Sequence, residues 1–123
     1  MTKIFLVEDD PDVVNLARRW LEREGYAFGH AADGEAALAA LGAEPLPDLV
    51  LLDVMLPKVD GFELLRRLRA EARTRALPVI MVTSFTRDRD VARGRSLGAN
   101  DYIVKPLAEL DFLERVKRAL RKA

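Results

Sequence analysis

Five short apolar runs, each closed by a turn signal and followed by an amphipathic stretch, recur along this chain, and no other feature constrains its fold as strongly. The runs cover residues 4–7, 26–31, 48–52, 78–82 and 102–104. Between them lie helix signals. Asp10 before Pro11 reads as an N-cap with proline at the first helical position, and Gly25 as the stop. Val13, Leu16, Ala17, Trp20 and Leu21 form the apolar stripe of that helix. Asp33 caps a short alanine-rich helix that Gly42 ends, and Asp60 caps one carrying Phe62, Leu64, Leu65 and Leu68. A fourth helix over residues 87–97 is mostly charged and holds Gly94, which costs about 1 kcal/mol against alanine, so it is expected to be the mobile one. Leu110, Leu113, Val116 and Leu120 line a fifth helix with a basic end.

The run Leu49-Val50-Leu51-Leu52 is apolar on both faces, the mark of a central strand in a parallel sheet covered by helices. Right-handed crossovers repeated through five such units predict an α/β fold: a three-layer doubly wound sandwich whose five-stranded parallel sheet has the order 2-1-3-4-5, of the flavodoxin-like class. A closed eight-unit barrel needs about twice the 123 residues present. One composition regime runs throughout, so residues 1–123 are expected to form a single domain. Twenty basic side chains against twenty acidic ones leave no net field to hold nucleic acid or an anionic membrane. The chain has no cysteine and one histidine, His30, which excludes disulfides, thiol catalysis and thiolate zinc and favours a hard metal bound by oxygen. No apolar run approaches a leader or a membrane span, and the reading is a soluble, cytoplasmic protein.

Open parallel sheets bind ligands beyond the carboxyl ends of their strands. There the first run is followed by Glu8, Asp9 and Asp10, the third by Asp53, the fourth by Thr83 and Ser84, and the fifth by Lys105; the second ends blandly at Ala31-Ala32. In the order 2-1-3-4-5 all the polar ends share one rim. Clustered carboxylates repel one another and call for a cation, and Mg²⁺, which combines one or two carboxylates with a phosphate, suits the set. Asp53 is then placed to act as a nucleophile toward phosphorus, with Lys105 as a second cation and the Thr83 hydroxyl as a donor to a phosphoryl oxygen. Singly, each residue has a plainer reading: Asp10 as the helix cap, Asp53 as a turn former, Thr83 as a satisfied hydroxyl, Lys105 as a solvated side chain. Their coincidence on one rim points to a site.

Val7-Glu8-Asp9-Asp10, Leu51-Leu52-Asp53-Val54-Met55-Leu56-Pro57, Gly61, Val82-Thr83 and Tyr102-Ile103-Val104-Lys105-Pro106 together resemble the response-regulator receiver domain of two-component signalling, over the whole chain. The resemblance implies a phosphorelay switch that catalyses only its own phosphorylation and dephosphorylation. In it Asp53 is the phosphoacceptor, Asp9 a direct Mg²⁺ ligand, Glu8 a ligand acting largely through water, the Met55 backbone carbonyl another, and Lys105 a contact to the phosphoryl group. Thr83 and Tyr102 are implied as the switch pair, the hydroxyl moving to the phosphoryl oxygen and the ring turning inward behind it. The Lys105-Pro106 bond is implied to be cis. The donor would be a histidine kinase or histidine phosphotransfer protein, and the surface of the fourth helix, fifth strand and fifth helix would be read by a downstream target or a fused effector domain.

Some positions depart from that pattern. DNA-binding members that dimerise through this face carry Lys and Glu where this chain has Val91 and Ser96, although Asp101 and Arg115 fit, so the expectation is a monomer or a weak phosphorylation-dependent dimer. Leu107 replaces the phenylalanine common after Lys-Pro. Met55 and Phe85 are expected to flank the path of a hydrolytic water and so to prolong the phosphoryl group. Two alternatives are a receiver portion of a longer DNA-binding transcriptional regulator, and a non-phosphorylated interaction scaffold. A Mg²⁺ phosphatase with an aspartyl nucleophile would want a second acid where Met55 stands.

Overall fold

The computed structural model describes residues 1–84 and 87–122, the last of these by its backbone alone. Strands and helices alternate throughout: β1 (Lys3–Val7), α1 (Pro11–Arg23), β2 (Ala27–Ala31), α2 (Gly34–Leu41), β3 (Leu49–Leu52), α3 (Gly61–Ala70), β4 (Val79–Thr83), α4 (Asp88–Ser96), β5 (Asp101–Val104) and α5 (Glu109–Lys122). The strands make one parallel sheet in the order β2-β1-β3-β4-β5, with β3 at its centre, as the five-fold alternation predicts.

The two-residue period of the strands divides their side chains between two layers. Phe5, Val7, Val50, Leu52, Val79 and Met81 meet α2 and α3, with Val91 of α4 and Leu97 just after it packing on the same cluster from its margin. Ile4, Leu6, Leu49, Leu51, Ile80, Val82 and Ile103 meet α1 and α5. Every residue of β3 and β4 is buried, which is why both read as unbroken apolar runs. The caps fall where the sequence puts them: Asp10 accepts from the Asp12 amide, Asp33 from Ala36 and Asp60 from Glu63. Gly25, at φ +89°, follows α1 in the left-handed region that favours glycine. No helix among the described residues is long and apolar enough to cross a membrane.

Two expected stripes are corrected. On α1 the buried set is Val14, Ala17, Trp20 and Leu21, with Val13 and Leu16 only half-buried. On α5, Phe112, Leu113, Val116 and Ala119 are buried, whereas Leu110 is 85% exposed and Leu120 partly buried. The helix starts at Glu109 and turns about 100° per residue, which carries Leu110 about 120° away from Val116. Phe112, its ring tilted against that of Trp20 of α1 at 5.6 Å, takes the place the pattern had given to Leu110.

Candidate functional site

The carboxyl ends of β1, β3, β4 and β5 lie along one rim of the sheet. The Asp53 amide donates to Val7 O at 3.0 Å and the Lys105 amide to Thr83 O at 3.0 Å, so sheet pairing continues just past the strands and delivers both side chains to the same rim. Gly61 closes the arrangement from α3: its amide donates to Val54 O at 2.9 Å, and any Cβ there would overlap the Asp53 carbonyl. The start of α3 therefore packs directly against the backbone that carries Asp53.

Asp53 is 5% exposed. Its Oδ1 accepts from the Met55 amide at 3.1 Å and its Oδ2 from Lys105 Nζ at 3.0 Å. Glu8 is 1% exposed; its Oε2 accepts from the Asp10 amide at 3.1 Å. Glu8 Oε1, fully buried, pairs with Lys105 Nζ at 2.7 Å. Burial, reinforced by the charge of Asp53 and only partly offset by Lys105 and the Asp10 amide, pushes the Glu8 carboxyl up to about 7. Lys105 loses affinity for its proton through burial and regains more from Glu8 and Asp53, so its ammonium is held above the usual range.

Oxygens of Glu8, Asp9 and Asp53 lie within 4.8 Å of one another. Asp9 is exposed, and Asp10 is occupied as the α1 cap. The donor set is all oxygen and, among the described residues, sets three clustered carboxylates against the one ammonium of Lys105, with the buried Oε1 of Glu8 served by that ammonium alone. That chemistry fits a hard divalent cation. The rim opens into a cleft of about 800 Å³ whose walls include Met55, Leu56, Phe62, Ser84, Asp90 and Arg93.

Met55 stands at the cleft, 61% exposed. Phe85 lies outside the described residues. Thr83 ends β4 and is 1% exposed; among the described residues it is its neighbour Ser84 that lines the cleft. Tyr102 sits inward, 8% exposed, its hydroxyl donating to Asp90 O at 2.8 Å. A Cβ at residue 94 would overlap that hydroxyl, so Gly94 is the slot for the ring. Neither Gly94 nor the cleft residues Phe62, Asp90 and Arg93 stands out as functional in the sequence, where they read as helix weakness, core and surface charge. The Lys105-Pro106 bond is cis, as the resemblance implies. Asp101 and Arg115 pair with each other at 2.8 Å, and Arg115 also holds Asp111.

Residues 4–117 match the family model described as the response regulator receiver domain. The chain belongs to the response-regulator receiver family. It is 41% identical over 99% of its length to a DNA-binding dual master transcriptional regulator of Synechocystis, RpaA, and 43% identical over 100% of its length to the phosphate regulon regulator PhoB of Rhizobium meliloti. It covers 50% and 54% of those proteins, about half the length of the curated relatives it matches. Among solved structures, a response regulator from Chloroflexus aurantiacus superposes with TM-score 0.92 at 35% identity, covering 98% of each chain. The receiver domain of a Pseudomonas aeruginosa sensor histidine kinase, with magnesium coordinated in its active-site cleft, superposes with TM-score 0.87 at 29% identity, covering 97% of each chain. This receiver domain is of the regulatory class that serves two-component systems.

Proposed function

We propose that residues 1–123 act as one phosphorylation-controlled switch, taking a phosphoryl group from a histidine kinase or histidine phosphotransfer protein onto Asp53 in the cytoplasm. The observation that carries this reading is the Asp53 carboxylate at the end of the central strand, 3.0 Å from Lys105 Nζ and grouped with Glu8 and Asp9. An Asp53 oxygen attacks phosphorus in line as the bond from phosphorus to the donor imidazole nitrogen breaks, and with a proton on its other ring nitrogen the donor leaves as neutral histidine, the acyl phosphate remaining on Asp53. Asp9, Asp53 and the Met55 carbonyl, with Glu8 through water, would hold Mg²⁺, which neutralises charge on the phosphoryl oxygens. Lys105 exchanges its contact with Asp53 Oδ2 for one to the phosphoryl group, and the Thr83 hydroxyl donates to another phosphoryl oxygen. These contacts bias α4, β5 and α5 toward the surface a partner reads, with Tyr102 held inward in its slot against Gly94.

Incubation with Mg²⁺ and a small acyl phosphate or phosphoramidate should give a single phosphoryl adduct by intact mass, mapped to Asp53. An adduct that survives Asp53→Asn sinks the assignment, and no adduct at all favours the scaffold reading. Met55 and Phe85 are assigned to screening the approach of water, so decay after donor removal should take minutes or longer; a lifetime of seconds overturns that role. A second reading keeps the same switch but places it in a longer DNA-binding regulator, supported by relatives of about twice the length named as transcriptional regulators. In either setting this domain contributes no direct nucleic-acid contact of its own and acts as a monomer or a weak phosphorylation-dependent dimer.

A further inference from the structure

Arg69, near the carboxyl end of α3, carries a guanidinium with no carboxylate partner among the described residues. It donates instead to oxygens of the chain that follows: Gly98 O at 2.8 and 3.0 Å, Leu77 O at 2.7 Å, Arg75 O at 3.2 Å, Thr74 O at 3.3 Å and Asn100 Oδ1 at 3.1 Å. Burial lowers its proton affinity, yet an arginine stays charged, and the carbonyl-rich carboxyl ends of α3 and α4 are the natural place for that charge. Gly98 makes the approach possible: it has φ +101°, and a Cβ there would sit 2.8 Å from Arg69 Nε.

The loop held in this way is tied in two further directions. Asn100 donates its amide to Val79 O at 2.8 Å and accepts the Val79 amide on its side chain at 2.8 Å, which fixes it to the start of β4. Ala99 N donates to Gly94 O at 2.9 Å and Gly98 N to Arg95 O at 3.0 Å, which fixes it to the last turn of α4. Tyr102 follows two residues after Asn100. At the opposite end of α4 the N-cap residue Arg87 supplies no side-chain cap bond and pairs with Asp90 on the helix itself at 3.0 Å, and among the described residues the tie from that end to β5 is the single Tyr102 hydroxyl on Asp90 O at 2.8 Å.

We propose that Arg69 is a positioning residue of the switch: it makes the carboxyl end of α4 the fixed end and so sets the slot between Gly94 and Tyr102, leaving the amino half of the helix to rearrange. This rests on the reading of α4 as part of the signalling surface. Residue-resolved amide exchange on the whole chain tests the anchor without phosphorylation. In the wild type the amides of residues 97–100 should exchange at least about tenfold more slowly than those of 91–93, the equivalent of one charge-assisted hydrogen bond. Arg69→Met, and the milder Asn100→Ala, should close that gap while residues 64–68 of α3 keep their protection. Equal exchange in the two halves of the wild type, a gap that survives both substitutions, or a loss of protection that spreads equally through α3 overturns the proposal. With Mg²⁺ and the phosphodonor added, changes should concentrate at 91–93 in the wild type and reach 97–100 in Arg69→Met. Failure to form an adduct refutes the phosphoacceptor reading and leaves the first comparison to decide the anchor; an adduct that perturbs both halves of wild-type α4 equally overturns the anchor alone.

Discussion

Two helices of nearly equal length pack on the same face of the sheet by different means. α3 has ten residues, a side-chain cap from Asp60, and Phe62, Leu64, Leu65 and Leu68 in the core. α4 has nine residues, no side-chain cap, and no residue fully buried except Gly94; Val91 is half-buried. Apolar burial holds the first. The second is held at discrete polar points, the Tyr102 hydroxyl on Asp90 O and the Arg69 guanidinium on Gly98 O. Area-based adhesion varies little with small displacements, whereas a few directed hydrogen bonds can be exchanged as a set, so the proposed switching, which keeps the sheet and moves one helix, would use both kinds.

The comparison breaks most readily at the largest effect. Leu65→Ala should cost about 2–5 kcal/mol in urea unfolding, and Val91→Ala less than about 1 kcal/mol, because only the first leaves a closed cavity. Equal costs would mean that α4 is as much a core helix as α3.

Glu8, which lies on neither helix, titrates near neutral pH and gives a control. Its carboxyl is raised in the fold from 4.5 to about 7, so the stability due to its buried neutral form is complete below pH 4.5 and is lost as pH rises through about 7. The loss is on the order of 3 kcal/mol at most. Without Mg²⁺ the protein should therefore weaken across that window, while saturating Mg²⁺, which prefers the ionised carboxylate, should flatten or reverse the trend. The slope should be the same in Val91→Ala; a steeper one would show that α4 already senses the site.

Gly94→Ala sets helix propensity against the tyrosine slot. Alanine favours the helix by about 1 kcal/mol, but its methyl overlaps the Tyr102 hydroxyl, and overpacking of this kind costs about 1–3 kcal/mol. A net destabilisation is expected, and it should shrink when Tyr102→Ala is added. A stabilised Gly94→Ala protein would show that the ring moves aside freely.

The smallest contrast is at the amino ends. Asp60→Ala should lose about 1 kcal/mol with its cap bond, and Arg87→Ala should stay within about 0.5 kcal/mol, both read from thermal or urea midpoints.

Much of this was legible in the chain. The two-sided apolar runs at β3 and β4, the three aspartate caps and the polar residues following the strands all depend on local pattern, which survives without knowledge of neighbours. The stripe on α5 was misplaced at Leu110, which lies about 120° round the helix from Val116; Phe112, against Trp20 of α1, is buried in its stead, while Leu120 does pack on the core from its margin. Gly94 carried a signal, but the sequence gives its cost to the helix and not the ring that requires it. Arg69 carried none, since one arginine among four in residues 66–73 looks like solvated charge until the loop after α4 comes round to meet it.

By itself, then, the sequence determined a parallel α/β sandwich and the family of residues at its rim, because strand period, caps and turn chemistry are short-range. What only the tertiary structure decided is which of those residues are bound to one another: Lys105 between Glu8 and Asp53, Tyr102 against Gly94, Arg69 across the ends of two helices. Such contacts join residues far apart in the chain, and their distances, burial and shared charge exist only once the sheet has brought the strand ends together.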